Sequence, residues 1–161
     1  MKKIAFSVLL AGFITPAFAT TVTDQAKSAG FTQCLETTET LANFLVKEHA
    51  HASHDFWNSD NVNERFFNSL IVKDYSDGDS HISLTIVPRE NKCDWSYTET
   101  FTVEQPCQVV REEMFSEMSY GGSMNKTSLM LHKDNDLYYY LTPSESGKAC
   151  LVTKREIFYQ G

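Results

Sequence analysis

Beyond its amino-terminal leader, this chain has only one stretch in which apolar residues recur at helical spacing, residues 23–57. Phe31, Leu35, Leu41, Ala42, Leu45, Val46 and His49 fall close to an i, i+3, i+4 series, while Glu36, Glu39, Asn43, Lys47 and His51 fill the opposite side. The spacing predicts one helix with a face to bury. Downstream the period drops to two. Ile82, Leu84 and Ile86 alternate with Ser83, Thr85 and Val87, and Trp95, Tyr97 and Phe101 with Ser96, Thr98 and Thr100. Such alternation marks strands with one face in a core and one toward water. Strands are predicted over 64–75, 80–87, 94–103, 107–118, 127–132, 137–141 and 149–159. Turn-forming groups separate them, among them Asp77-Gly78, Gln105-Pro106, Gly121-Gly122 and Asp134-Asn135-Asp136. The fold expected is α+β: one N-terminal helix packed on a curled antiparallel β-sheet meander of six to seven strands. No internal repeat or linker is visible, so residues 20–161 read as a single domain.

The first nineteen residues change the picture from fold to compartment. Lys2 and Lys3 precede an apolar run over residues 4–14, then Pro16 and Ala17-Phe18-Ala19. This layout predicts a cleavable secretory signal peptide over 1–19, cut after Ala19. The run falls short of the roughly 20 apolar residues of a membrane span, and no later stretch approaches that length. No cysteine follows the cut to carry a lipid, so a periplasmic or secreted protein that is not a lipoprotein is expected. The 161 residues carry 14 basic and 21 acidic side chains, a formal charge of −7. Loss of Lys2 and Lys3 makes the mature chain more negative still. That balance disfavours nucleic acid and anionic membrane surfaces, and leaves a basic protein as the partner that charge would favour.

Cys34, Cys93, Cys107 and Cys150 are an even set in an exported chain, which reads as two disulfides. There is no Cys-x-x-Cys pair for redox or zinc chemistry. In an up-and-down meander Cys93 and Cys107 would open successive strands at opposite ends of the sheet, ~30 Å apart at ~3.3 Å per residue. A disulfide needs Cα atoms within about 7 Å. The expected pairing is therefore Cys34 with Cys107, pinning the helix, and Cys93 with Cys150.

Candidate chemistry is sparse. If the helix runs through residues 48–55, Glu48, His51 and Asp55 project on one side with His54 beside them, a feasible nitrogen and oxygen set for a transition metal. A solvated helix end accounts for the same residues. Residues 74–80 superficially resemble an acidic calcium loop but lack the EF-hand spacing, and Asp-Gly between alternating runs signals a hairpin. No nucleophile elbow, His-Glu-x-x-His or phosphate loop is present. Glu112, Glu113 and Glu117 read as a solvated face. Met114, Phe115, Met118, Tyr120 and Met124 gather around Gly121-Gly122, and adaptable methionines beside a turn suit partner binding. Of Tyr138, Tyr139 and Tyr140, Tyr139 is the one placed with that set.

A helix followed by strands is similar in order to cystatin-like and other small α+β domains, a likeness of topology that carries no functional residue across. The expectation is a non-catalytic exported domain, without cofactor, that binds another macromolecule. An inhibitor or immunity-type protein, or an accessory of an envelope appendage, would be concrete forms. The competing expectation is a small-ligand or metal-binding protein using the Glu48, His51, His54 and Asp55 cluster.

Overall fold

A computed structural model describes residues 20–131 and 136–161; the predicted signal segment lies outside them, as does most of the Asp134-Asn135-Asp136 turn. The helical stretch is not one helix. α1 spans Thr21–Ala29, α2 spans Leu35–Val46, and residues 51–56 form a strand. Thr20 caps α1, its hydroxyl accepting the Thr23 N–H at 3.1 Å. Gly30 ends it in the left-handed conformation, φ +77°, its N–H turned back to Ala26 and Lys27. α2 buries Thr38, Leu41, Ala42, Leu45 and Val46 and stops where Lys47 takes a positive φ. The periodicity foresaw the buried face; the glycine breaks what lies before it.

The strands are β1 (His51–Phe56), β2 (Phe67–Tyr75), β3 (Gly78–Arg89), β4 (Lys92–Val103), β5 (Ser119–Met124), β6 (Thr127–Leu131), β7 (Leu137–Pro143) and β8 (Cys150–Phe158), with a third helix α3 (Cys107–Met114) between β4 and β5. They form one antiparallel sheet in the order β1-β2-β3-β4-β8-β7-β6-β5. Among the described residues, eight strands and three helices thus replace the six to seven strands and single helix expected. The predicted strand over 107–118 is overturned: after Pro106 at its N-cap, the segment is helical, burying Val110. Gln108 donates to Glu112 across one turn at 3.0 Å.

The order of strands reveals a repeat that the residues conceal. Each half is helix, then four antiparallel strands, and the halves meet along β4 and β8 about a pseudo-twofold axis near the Thr98–Arg155 pair. Both helical layers cover the same sheet face. The first half packs Val22, Ala26, Phe31, Leu41 and Leu45 against Phe67, Ile71, Ile82, Leu84 and Ile86. The second packs Val110 and Phe115 against Met130, Leu141 and Val152.

The disulfides follow this symmetry. Cys34 at the N-cap of α2 joins Cys93 near the start of β4, Cα atoms 5.9 Å apart, and Cys107 at the start of α3 joins Cys150 at the start of β8, 4.8 Å apart. The expected pairing, Cys34 with Cys107 and Cys93 with Cys150, is wrong because two strands went unseen. β1 carries the chain back before β2, so the start of α2 lies over the start of β4. β5 adds a reversal, so β8 runs against β4 and Cys150 lies opposite Val103. Digestion of the oxidised protein should release Cys34 linked to Cys93 and Cys107 linked to Cys150; any crossed peptide contradicts the topology. Replacing Cys107 and Cys150 by serine should lower stability by about 2–4 kcal/mol in urea unfolding.

Candidate functional site

Charged side chains stand on the covered face, between the two helical layers. Register places Glu99 of β4 opposite Lys154 of β8, and Tyr97 opposite Glu156. Counting from Cys93 and Cys150, Tyr97 and Lys154 are equivalent positions, as are Glu99 and Glu156, so the axis relates two donor and carboxylate pairs. Lys73 reaches in from β2, 3 % exposed. Its Nζ lies 2.8 Å from Glu99 Oε1, donates to the Leu45 carbonyl in the last turn of α2 at 2.9 Å, and stands 4.7 Å from the centre of the Tyr75 ring. Ser80 donates to the same Glu99 oxygen at 3.1 Å, and the Tyr97 hydroxyl donates to Glu156 at 2.8 Å.

These neighbours shift the titrations. Burial disfavours the Lys73 ammonium, yet its bonds to Glu99 and Tyr75 outweigh that and raise its pKa. Lys154 has its ammonium 5.3 Å from the Phe44 ring centre and 5.1 Å from that of Tyr97, and burial lowers its pKa against the pull of Glu99 and Glu156. Tyr97 is raised, first by burial and then by Glu156, and Tyr139 is raised by burial, Glu99 and Glu156. Glu99 and Glu156 are each engaged by internal donors, and all four cysteines are in disulfides. The centre is a polar junction whose two carboxylates are held by internal donors.

A cleft opens beside it. Tyr75 and Phe101 lie two residues beyond Lys73 and Glu99 on the same face, and with Val103 and Met114 they floor a cavity of about 510 Å³ rimmed by Asp77, Gly78 and Asp79. Tyr75 pairs directly with Gly78 across the two-residue Ser76-Asp77 turn, and Gly78 has φ +136°, where a side chain would be strained. Residues 74–80 are therefore the hairpin, and its tip carries the two carboxylates. The volume lies within the range of roughly 300–1,000 Å³ of ligand sites.

The predicted site residues are redistributed. In β1 the period is two, so half-buried His51 and Asp55 face the helical layer and exposed His54 faces away. The helical stripe of Glu48, His51, His54 and Asp55 does not exist, and among the described residues no three His, Cys, Asp or Glu gather as metal ligands. His51 is spent locally, bonding the His49 carbonyl at 3.0 Å and the Thr21 N–H at 3.4 Å. The methionine set is split by α3. Met114, 50 % exposed, lines the 510 Å³ cleft, whereas Phe115, Met118 and Tyr120 line a second recess of about 350 Å³. Phe115 is buried against Tyr139, ring centres 4.6 Å apart, and Met124 stands exposed on the edge strand β5. Lys73, Tyr97, Glu99, Lys154 and Glu156 escaped the sequence reading. A signal was there: Ile71-Val72-Lys73 and Tyr97-Thr98-Glu99-Thr100-Phe101 put charges at positions that the period of two assigns to the core.

Glu99→Ala should cost about 3–5 kcal/mol in urea unfolding, because it strands a buried ammonium, whereas Lys73→Met combined with Glu99→Leu should be close to neutral. A loss below about 1 kcal/mol for Glu99→Ala would show that the pair is not desolvated as described. Unfolded tyrosine ionises near pH 10. Folded Tyr97 holds its proton to higher pH, so the native state binds the extra proton and stability falls as pH rises above about 10. Lys73 and Tyr139 act in the same direction. Lys154 opposes them between its lowered value and 10.5, where the unfolded chain binds more protons. Tyr97→Phe should flatten the alkaline fall in melting temperature. Compared with protein-family models, with curated proteins and with solved structures, the chain matches none.

Proposed function

We propose that this protein is a non-catalytic binding module of an oxidising compartment, which holds a basic side chain of a protein partner in the cleft between the Asp77-Gly78-Asp79 hairpin and α3. The lining of that cleft carries the reading. The Phe101 ring supplies a face for a cation beside Tyr75, whose own ring already meets the Lys73 ammonium, with Met114 an adaptable wall and Asp77 and Asp79 charge at the mouth. The formal charge of −7 would speed encounter with such a partner. Two disulfides fit an oxidising environment, and no helix among the described residues is long and apolar enough to cross a membrane. Inhibition of a basic enzyme, immunity against a basic toxin and attachment to an envelope appendage would all use this surface. A small organic cation is the second reading, favoured by the cleft volume of about 510 Å³.

The test immobilises the mature, oxidised protein and a variant with Asp77→Lys and Asp79→Lys, and passes envelope extract and culture fluid over both, with and without chelator. The expected result is a basic protein retained by the native bait, eluted by salt, indifferent to chelator and at least about ten-fold depleted on the variant, whose added charges repel it. Identical retention on both baits would refute the cleft. Retention that chelator abolishes would move the function to a metal-dependent ligand.

A further inference from the structure

At the other end of β2 from the hairpin lies a recess that the cleft does not involve. We infer that it binds a saccharide bearing a carboxylate. Phe56, Trp57 and Phe66 are 54 %, 38 % and 57 % exposed, and with Asn58 and Arg65 they line a cavity of about 270 Å³. Large aromatic side chains left in water together cost hydration free energy that a ligand can recover.

The loop presenting them is fixed in place. Asn63 Oδ1 accepts the N–H groups of Thr32 at 2.8 Å and Gln33 at 2.9 Å, and its Nδ2 donates to the Gly30 carbonyl at 3.0 Å, tying the loop to the turn between α1 and α2. Val62 packs on the first core. Asn58 Oδ1 accepts from the Asp60 and Asn61 N–H groups at 3.0 and 2.9 Å. Trp57 is stacked over Phe67 with ring centres 6.3 Å apart and planes 13° from parallel. Phe56 lies against His54, ring centres 4.6 Å apart, so the loop and two of the three rings already have packing partners that a ligand would not have to supply.

The polar groups select the ligand. With Asn58 Oδ1 occupied, its amide offers N–H donors, and the Arg65 guanidinium has no hydrogen bond or ion pair among the described residues. No carboxylate belongs to the lining; Asp60 and Glu64 of the same loop lie outside it. A site with flat apolar faces and only donors suits a ligand with a flat apolar C–H face and acceptors around it, with one negative group to meet a planar fork. A sugar ring packs its axial C–H bonds on the negative face of an aromatic ring, and its carboxylate can take two parallel bonds from Arg65. A hexuronate unit of an acidic polysaccharide combines these features, and the recess has room for one such ring. An acidic peptide would satisfy Arg65 but has no use for three open rings.

The chain's two tryptophans make a direct assay. In a Trp95→Phe variant, Trp57 fluorescence reports the recess; saturation-transfer NMR on the unaltered protein reports the same binding without any substitution. The probes are oligogalacturonate, neutral maltooligosaccharide of equal length and tetraglutamate. Saturable binding of oligogalacturonate is expected, at least about ten-fold tighter than either of the others, falling about ten-fold in Arg65→Gln and disappearing in Phe66→Ala, with melting temperatures unchanged. No binding of oligogalacturonate by either method overturns the inference. So do equal binding of maltooligosaccharide, equal binding of tetraglutamate, and full affinity in Arg65→Gln. None of these results bears on the acidic cleft, whose residues are untouched.

Discussion

Nine register pairs between β4 and β8, from Trp95–Phe158 to Val103–Cys150, join the two halves of the sheet. Each half has its own helical layer, its own apolar cluster and its own crosslink. The ladder itself is hydrogen bonding that any sequence could make, so the side chains must set its register. A slip of β8 by one residue would turn Val152, Lys154 and Glu156 to the open face. A slip of two would bring Glu99 opposite Glu156 or Val152 instead of Lys154, trading an attraction for a repulsion or a stranded charge. The buried Lys73–Glu99 pair extends that key to β2. Such a pair adds little net stability over well-packed apolar residues, but it makes the wrong alignments costly.

Local patterns exposed some of this and hid the rest. The alternation in β3 and β4 was legible because one face is covered by helices and the other is open, so burial itself has the period of two. The apolar face of α2 was legible for the same reason. β1 was not: His51, Ala52, Ser53 and His54 carry no apolar alternation, and this edge strand owes its form to pairing with β2. α3 hid behind Val109 and Val110, β-branched residues that read as strand but here sit in a short helix with its first residue in a disulfide. β5 hid behind Gly121-Gly122, which mark an irregularity in pairing rather than a turn. These two unseen strands account for the misplaced cysteine pairs.

The two surfaces argued for sit at opposite ends of one strand. β2 begins beside Phe66, Trp57 and Arg65 and ends at Tyr75, next to Asp77 and Asp79. One end offers aromatic faces with a cation; the other offers aromatic faces with two anions. One is held by the side-chain amide of Asn63, the other by the tight hairpin at Gly78. In an acidic protein such a division of charge lets one molecule touch ligands of opposite sign without either competing for the other's place.

The crosslinks join neighbours in sequence: first cysteine to second, third to fourth. A chain threading through a membrane pore amino end first, into an oxidising space, would present Cys34 and Cys93 before Cys107 has emerged. Pairing in order of arrival is then native pairing, and each half can close while the next is still in transit. An interlaced scheme would have required the chain to wait, or to undo a premature bond. For a chain delivered in that direction, the duplicated architecture would act as a timetable for oxidation, leading to the final connectivity without reshuffling.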